Sequence, residues 1–292
     1  MTKRPLKIHQ LFLVGSLLVT AGLLEACKDE IVGRADLEAV PEEALTESFY
    51  QDLDDLSSVA LKEPSDKQYA GGRTAVTITV DDDRFDCDGV VVTVQPATGS
   101  TPQNPKGIIT VDFGTTGCAD PRGVLRQGKL HIAYTGRRFM PDSEVIITPE
   151  NYSVSGVKIE GVRTSVNVSA STEAAPAFHV TLANGRATFP DGSTMTRTSD
   201  ITWTWNRGEN PLNDERVVSA GSTAGGTTRT GVAYSVSVEE DLVYTRTCLI
   251  AVEGTKDYVI DNTKDISVDY GYEDCNQVSI TANRITKGVK VY

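Results

Sequence analysis

Residues 178–205 read FHVTLANGRATFPDGSTMTRTSDITWTW. Phe178–Leu182 and Thr194–Trp205 alternate apolar with polar residues and are rich in Thr, Val, Ile and aromatics. A period of two with that composition is the mark of a strand with one buried face. Asn184-Gly185 and Pro190-Asp191-Gly192 carry the residue types that tight turns demand. The stretch therefore reads as consecutive hairpins.

The same alternation extends in both directions. Upstream it appears at 75–80, 90–94, 108–113, 129–134, 145–148, 152–154 and 157–168, with a turn signal at Ser155-Gly156. Downstream it recurs at 232–238, 242–252, 266–270, 278–282 and 289–292. The 33 threonines suit the solvent-facing side of such strands. After residue 70 no helical period exceeds two turns, and parallel strands need helical crossovers. The expected class is all-β: an antiparallel, hairpin-rich meander folded as a sandwich or as a curved, partly closed sheet. This β body spans 71–292, as one unit or as halves near 71–170 and 171–292.

The N-terminal quarter is different. Lys3, Arg4 and Lys7 precede a 14-residue apolar run, Leu11–Leu24. A basic start followed by a run too short to span a bilayer reads as a signal peptide over 1–26. Leu24-Glu25-Ala26-Cys27 resembles a bacterial lipobox, which implies lipidation at Cys27. Lys28-Asp29-Glu30 resembles the export signal of surface lipoproteins of Bacteroidota. Together these imply an outer-membrane protein anchored by an N-terminal lipid and facing the exterior. Residues 27–70 then form an acidic tether. Within it Phe49, Leu53, Leu56 and Ala60 recur at spacings of 4, 3 and 4, which predicts one short amphipathic helix near 42–60, flanked by loose linkers.

An internal echo links the two ends of the β body. ITVDFGTTGC (109–118) aligns without gaps on ISVDYGYEDC (266–275). Each copy has an upstream cysteine before an apolar run, Cys87 and Cys248. With Cys27 set aside, four cysteines in an exported chain favour two disulfides. Of three possible pairings, the repeat favours Cys87–Cys118 and Cys248–Cys275. No CxxC spacing and no neighbouring histidine points to zinc.

The stretch VDFGxxxCxDxxGxxRxGK, here Val111 to Lys129, and the stretch NYxVxGxKxEG, here Asn151 to Gly161, resemble those of uncharacterised β-rich lipoproteins of Bacteroidota. That resemblance implies the same β-rich fold and brings no assigned activity.

Charge and motif content bound the function. The formal net charge of −12 and the mean hydropathy of −0.22 describe a soluble acidic chain. A nucleic-acid binder needs the opposite sign. There is no GxSxG, HExxH or phosphate loop. His131 and His179 each fall within a strand run, where alternation accounts for them. Asp81-Asp82-Asp83, Asp86 and Asp88 cluster ahead of Gly89, as a solvated loop or as oxygen ligands for calcium, though without EF-hand spacing. Trp203 and Trp205 lie two apart, so both rings share one face of a strand, as core or as a stacking platform for a ligand. No catalytic residue, metal or cofactor is expected. The favoured function is a lipid-anchored structural or binding module for a glycan, a peptide or an envelope partner. The alternative is an extracellular polysaccharide hydrolase that uses a carboxylate pair.

Overall fold

Ala39–Lys62 form a 24-residue helix, α2, that lies against the concave side of a curled sheet. The computed structural model describes residues 31–290 apart from 63, 65, 70–73, 88, 173, 209–212, 246, 247, 249, 273, 274 and 276. The signal peptide, Cys27 and Lys28-Asp29-Glu30 lie outside the described residues. Helix α2 follows a single turn, α1 (Arg34–Leu37), and precedes another, α3 (Asp66–Tyr69). It covers the helix expected near 42–60 and runs about a turn further toward the N-terminus. The loose linker expected ahead of it is instead bound: Val32 N–H donates to Asn283 Oδ1 at 2.8 Å, and Asn283 Nδ2 donates to the Val32 carbonyl at 2.9 Å.

The rest is antiparallel β-sheet curled into a partial ring. In chain order the strands are β1 (Val76–Ile78), β2 (Val91–Pro96), β3 (Lys106–Asp112), β4 (Cys118–Ala119), β5 (Leu125–Thr135) and β6 (Glu144–Val154). They continue with β7 (Val157–Asn167), β8 (Ala177–Thr188), β9 (Thr194–Asn206), β10 (Glu215–Val218) and β11 (Thr223–Thr227). The last five are β12 (Ala233–Thr245), β13 (Glu253–Ile260), β14 (Lys264–Tyr272), β15 (Gln277–Ala282) and β16 (Ile285–Lys290). Neighbours in sequence are mostly neighbours in the sheet, as a meander requires. Strands β10 and β11 share the gap between β9 and β12, and β4 clips onto β5. The sheet ends are β1 and β16.

Curvature comes from bulges. Pairing slips between Gln127 and Lys129 in β5, and between Glu160 and Val162 in β7. The skipped residues, Gly128 and Gly161, have φ of +82° and +122°. A Cβ on Gly128 would sit 2.2 Å from the Asn151 carbonyl oxygen, and one on Gly161 would sit 2.8 Å from Gly185 Cα. Only glycine supplies both the backbone angle and the clearance, and each bulge bends its strand. Asn184-Gly185 corrects one expectation. It does not turn the chain but forms another bulge, inside β8, and the chain reverses at Pro190-Asp191-Gly192. Asn184 adopts φ +53°, which asparagine tolerates in a bulge as readily as in a turn.

Two hydrophobic clusters fill the concavity. One joins Tyr50, Leu53, Leu56 and Ala60 of α2 to inward residues of β1 through β9. The other joins Val32 and Ala39 to inward residues of β8 through β15. The helix thus bridges the two parts of the sheet.

The sequence echo is an echo in space. Asp112 Oδ1 accepts from Gly114 N–H at 2.9 Å, and Asp269 Oδ1 accepts from Gly271 N–H at 2.7 Å. Both glycines have φ +74°. Ile109, Val111 and Phe113 are buried in the first copy, and Ile266, Val268 and Tyr270 in the second. Cys87 bonds to Cys118 with Cα atoms 5.8 Å apart, and Cys248 bonds to Cys275 with Cα atoms 5.2 Å apart.

Candidate ligand-binding site

Strand β9 shows how the interior is graded. Its inward residues are Met195, Arg197, Ser199, Ile201, Trp203 and Trp205, running from a packed floor, through an ion-paired middle, to an aromatic rim.

The middle is a seam between acids of the helices and cations of the sheet. Asp36 meets Lys264 at 3.0 Å, and Glu43 meets Arg197 at 2.7 Å and Lys256 at 3.3 Å. Glu47 meets Arg197 at 2.8 Å, Asp52 meets Arg126 at 2.8 Å, and Asp54 meets Arg163 at 2.7 Å. Arg163 is only 1% exposed. Charges this deep persist only when paired. Burial alone would raise the Glu43 and Glu47 carboxyls, but the Lys256, Arg197 and Arg163 charges overcome it and hold Glu47 down at about 2. The free space beside Glu43, Glu47 and Arg216 is about 30 Å³, enough for water and too little for a ligand. These carboxylates serve the fold and are not available as a hydrolytic pair.

The rim is open. Beyond the C-terminal turn of α2 lies a cleft of about 710 Å³, within the range of small-molecule sites. Its walls include Ser58, Leu61 and Lys62 from the end of α2, Pro64 just beyond it, Tyr69 of α3, Tyr134 of β5, the β5–β6 loop Gly136–Met140, Val145 of β6, Thr172, and Trp205 of β9. Among the described residues none of its lining is acidic, in a chain with 40 acids and 28 bases.

Rings and guanidinium groups alternate here. Trp203 stacks on Phe178 at 4.7 Å, Phe178 meets Phe139 edge-on at 6.4 Å, and Phe139 meets Trp205 at 5.7 Å. Arg216 lies 5.0 Å over Trp203, and Arg138 lies 5.7 Å over Phe178 and 5.5 Å over Phe139. Arg207 lies 4.6 Å over Trp205 and 5.2 Å over Phe139. A cation over a ring face is attracted by the ring quadrupole. Arg138 and Arg207 have no carboxylate within ion-pair distance among the described residues. Burial pulls the Arg138 guanidinium below its ordinary pKa, and the fields of Asp54 and Asp55 on α2 oppose that pull.

The loop that carries Arg138 is fixed from behind. Its carbonyl accepts from Asn167 Nδ2 at 2.9 Å and from Ser143 Oγ at 3.0 Å, and Asp142 N–H donates to the Asn167 carbonyl at 2.9 Å. Phe139 and Met140 at its tip stay 42% and 46% exposed. A rigid loop offering apolar side chains to solvent needs little ordering when a ligand arrives.

The residues singled out from sequence fall into three groups. Trp203 and Trp205 do share one face, half-buried; Trp205 lines the cleft, whereas Trp203 lies deeper, in the stack with Phe178. The acidic loop does not converge. Asp82 binds its own Arg84, Asp81, Asp83 and Asp86 face solvent, and Asp88 lies outside the described residues. No group of three or more metal-ligating side chains gathers among the described residues. His131 and His179 sit on the outer face in cross-strand pairs with Glu150 and Asp200, each at 2.7 Å.

The stretch Val111–Lys129 is architectural. Asp120 caps its turn through the N–H groups of Arg122 and Val124, both at 2.9 Å, and ties down Arg126 at 3.0 Å. Lys129 pairs with Asp112 at 2.8 Å. The loop Gly136–Met140 was not legible as a site. Its one signal is Arg-Arg-Phe-Met standing between two strands where a turn is normally polar.

No family model, no curated protein and no solved structure matches the chain. The two disulfides indicate an oxidising compartment outside the cytoplasm. No helix among the described residues is long and apolar enough to cross a membrane.

Proposed function

We propose that this chain is a lipid-anchored outer-membrane protein that displays a ligand-binding cleft to the cell exterior. The observation that carries the reading is the place of the cleft. It opens beyond the C-terminal end of α2, whereas the chain enters at the other end, where Val32 is tied to Asn283 and Asp36 to Lys264. A 24-residue helix is about 36 Å long. Val32 is five positions beyond Cys27, a reach of at most about 18 Å. Acyl chains on Cys27 would therefore hold the entry end near the bilayer and leave the cleft facing outward, with Lys28-Asp29-Glu30 as the surface address. The rigid aromatic and cationic lining favours binding. The hydrolase alternative requires two facing carboxylates, and the cleft lining offers arginines in their place.

The test is a labelling experiment on whole cells. With cysteine placed at the exposed tip residue Met140, a membrane-impermeant thiol reagent should label the protein, and a fatty-acid probe should label Cys27. Cys27→Ala should abolish the lipid signal and release the protein. Equal acylation of Cys27→Ala and the parent, or a tip protected on intact cells and labelled only after lysis, would overturn the reading.

A further inference from the structure

Resting on that reading, we infer that the cleft recognises an acidic sugar, a ring that carries both hydroxyls and a carboxylate. Two independent features converge on this chemistry. The first is charge. The chain is net acidic, yet the described lining of the cleft carries no acid and includes Arg138; Arg138 and, beside the lining residue Trp205, Arg207 are held over ring faces and bound to no carboxylate among the described residues. A guanidinium stacked on a ring keeps its N–H edge free, and that planar edge matches a carboxylate.

The second feature is shape. Phe139, 42% exposed at the mouth and 5.7 Å from Trp205, offers apolar surface, to which the C–H face of a sugar ring is complementary. An acidic peptide would meet the first feature alone. The wall strands β5, β6 and β9 are hydrogen-bonded on both sides, which leaves no sheet edge for a peptide backbone to join.

Calorimetric titration of the full mature chain tests this. The probes are trimers of galacturonate and of glucuronate, the methyl ester of the galacturonate trimer, maltotriose and triglutamate. At least one uronate trimer should bind, with affinity falling about tenfold on esterification, on Arg138→Gln and on Arg207→Gln. Unchanged thermal midpoints of both variants keep the loss local, and added salt should weaken the uronate complex. Equal binding of ester and acid, or of maltotriose and uronate, would overturn the acidic class while leaving the cleft as a binding site, provided Trp205→Ala removes that binding. Tighter binding of triglutamate would shift the occupant to a peptide. If no probe binds, the acidic-sugar inference fails; if whole-cell labelling also fails, the display reading falls with it.

Discussion

Glu43 and Arg197, 154 residues apart in sequence, meet at 2.7 Å in the interior, with side chains 1% and 3% exposed. The other Glu43 oxygen accepts from Tyr258 Oη at 3.0 Å and from Lys256 Nζ at 3.3 Å. Glu43 thus holds Lys256 and shares Arg197 with Glu47. Glu43→Ala should cost about 3–5 kcal/mol in urea unfolding, because it leaves buried charge unpaired. Replacing Glu43, Glu47, Arg197 and Lys256 together by apolar residues of similar size should cost less than Glu43→Ala alone, because no member of the group is then left without its partner. A loss under about 1 kcal/mol for the single variant would show that the helix is held by packing only.

Acid should loosen the same seam. The folded-state carboxyls of Glu43 and Glu47 lie below their unfolded values near 4.5, with Glu47 at about 2. A lowered carboxyl contributes stability that is complete above its unfolded pKa and is lost as pH falls through the folded one. The urea midpoint should hold steady from pH 8 to about 5 and decline between about 4.5 and 2. Glu47→Gln should be less stable at neutral pH and show a shallower decline. A midpoint that stays level down to pH 3 would contradict the pairing.

Each disulfide closes a loop of similar size, with separations of 31 and 27 residues. Loss of either should cost about 3 kcal/mol through the unfolded chain. Peptide mapping without reduction should recover Cys87 with Cys118 and Cys248 with Cys275. A fragment linking Cys87 to Cys275 would refute the equivalence of the two repeat units.

Gly185 lies where helix and bulge approach each other. A Cβ there would sit 2.5 Å from the Arg197 carbonyl oxygen and 2.8 Å from Tyr50 Oη, which itself donates to the Glu160 carbonyl at 2.8 Å. Gly185→Ala should lower the thermal midpoint by several degrees, in line with an overpacking cost of about 1–3 kcal/mol. Tyr50→Phe should cost about 1 kcal/mol. If Gly185→Ala melted with the parent, the close approach would be wrong.

Local periodicity carried much of the architecture. The alternation around Val111 and Val268 marks strands because each residue's neighbours two places away share its fate, and Leu53, Leu56 and Ala60 mark the helix in the same way. The repeat made the cysteine neighbours visible because two copies of one local geometry need one solution. What stayed hidden depends on partners far along the chain. Arg126, Arg163 and Arg197 look like ordinary charges on a strand, since nothing nearby reveals that Asp52, Asp54 and Glu43 will be brought to them. Asn184-Gly185 misleads because a bulge and a turn use the same backbone angles. The cleft draws on α2, α3, the β5–β6 loop and the end of β9, so no window of sequence contains it.

Val32 and Asn283 are 251 positions apart, and α2 finds its buried cations 74 to 213 positions downstream of its own acids. The helix is made early and its sockets come late. Contacts of such separation must await the closure of long loops. The nascent chain can therefore pair the acids of α2 only after β13 has been synthesised, and can fasten Val32 only after the β15–β16 hairpin exists. This wiring defers assembly until nearly the whole chain has been made. A premature stop before residue 283 would leave Val32 without its latch.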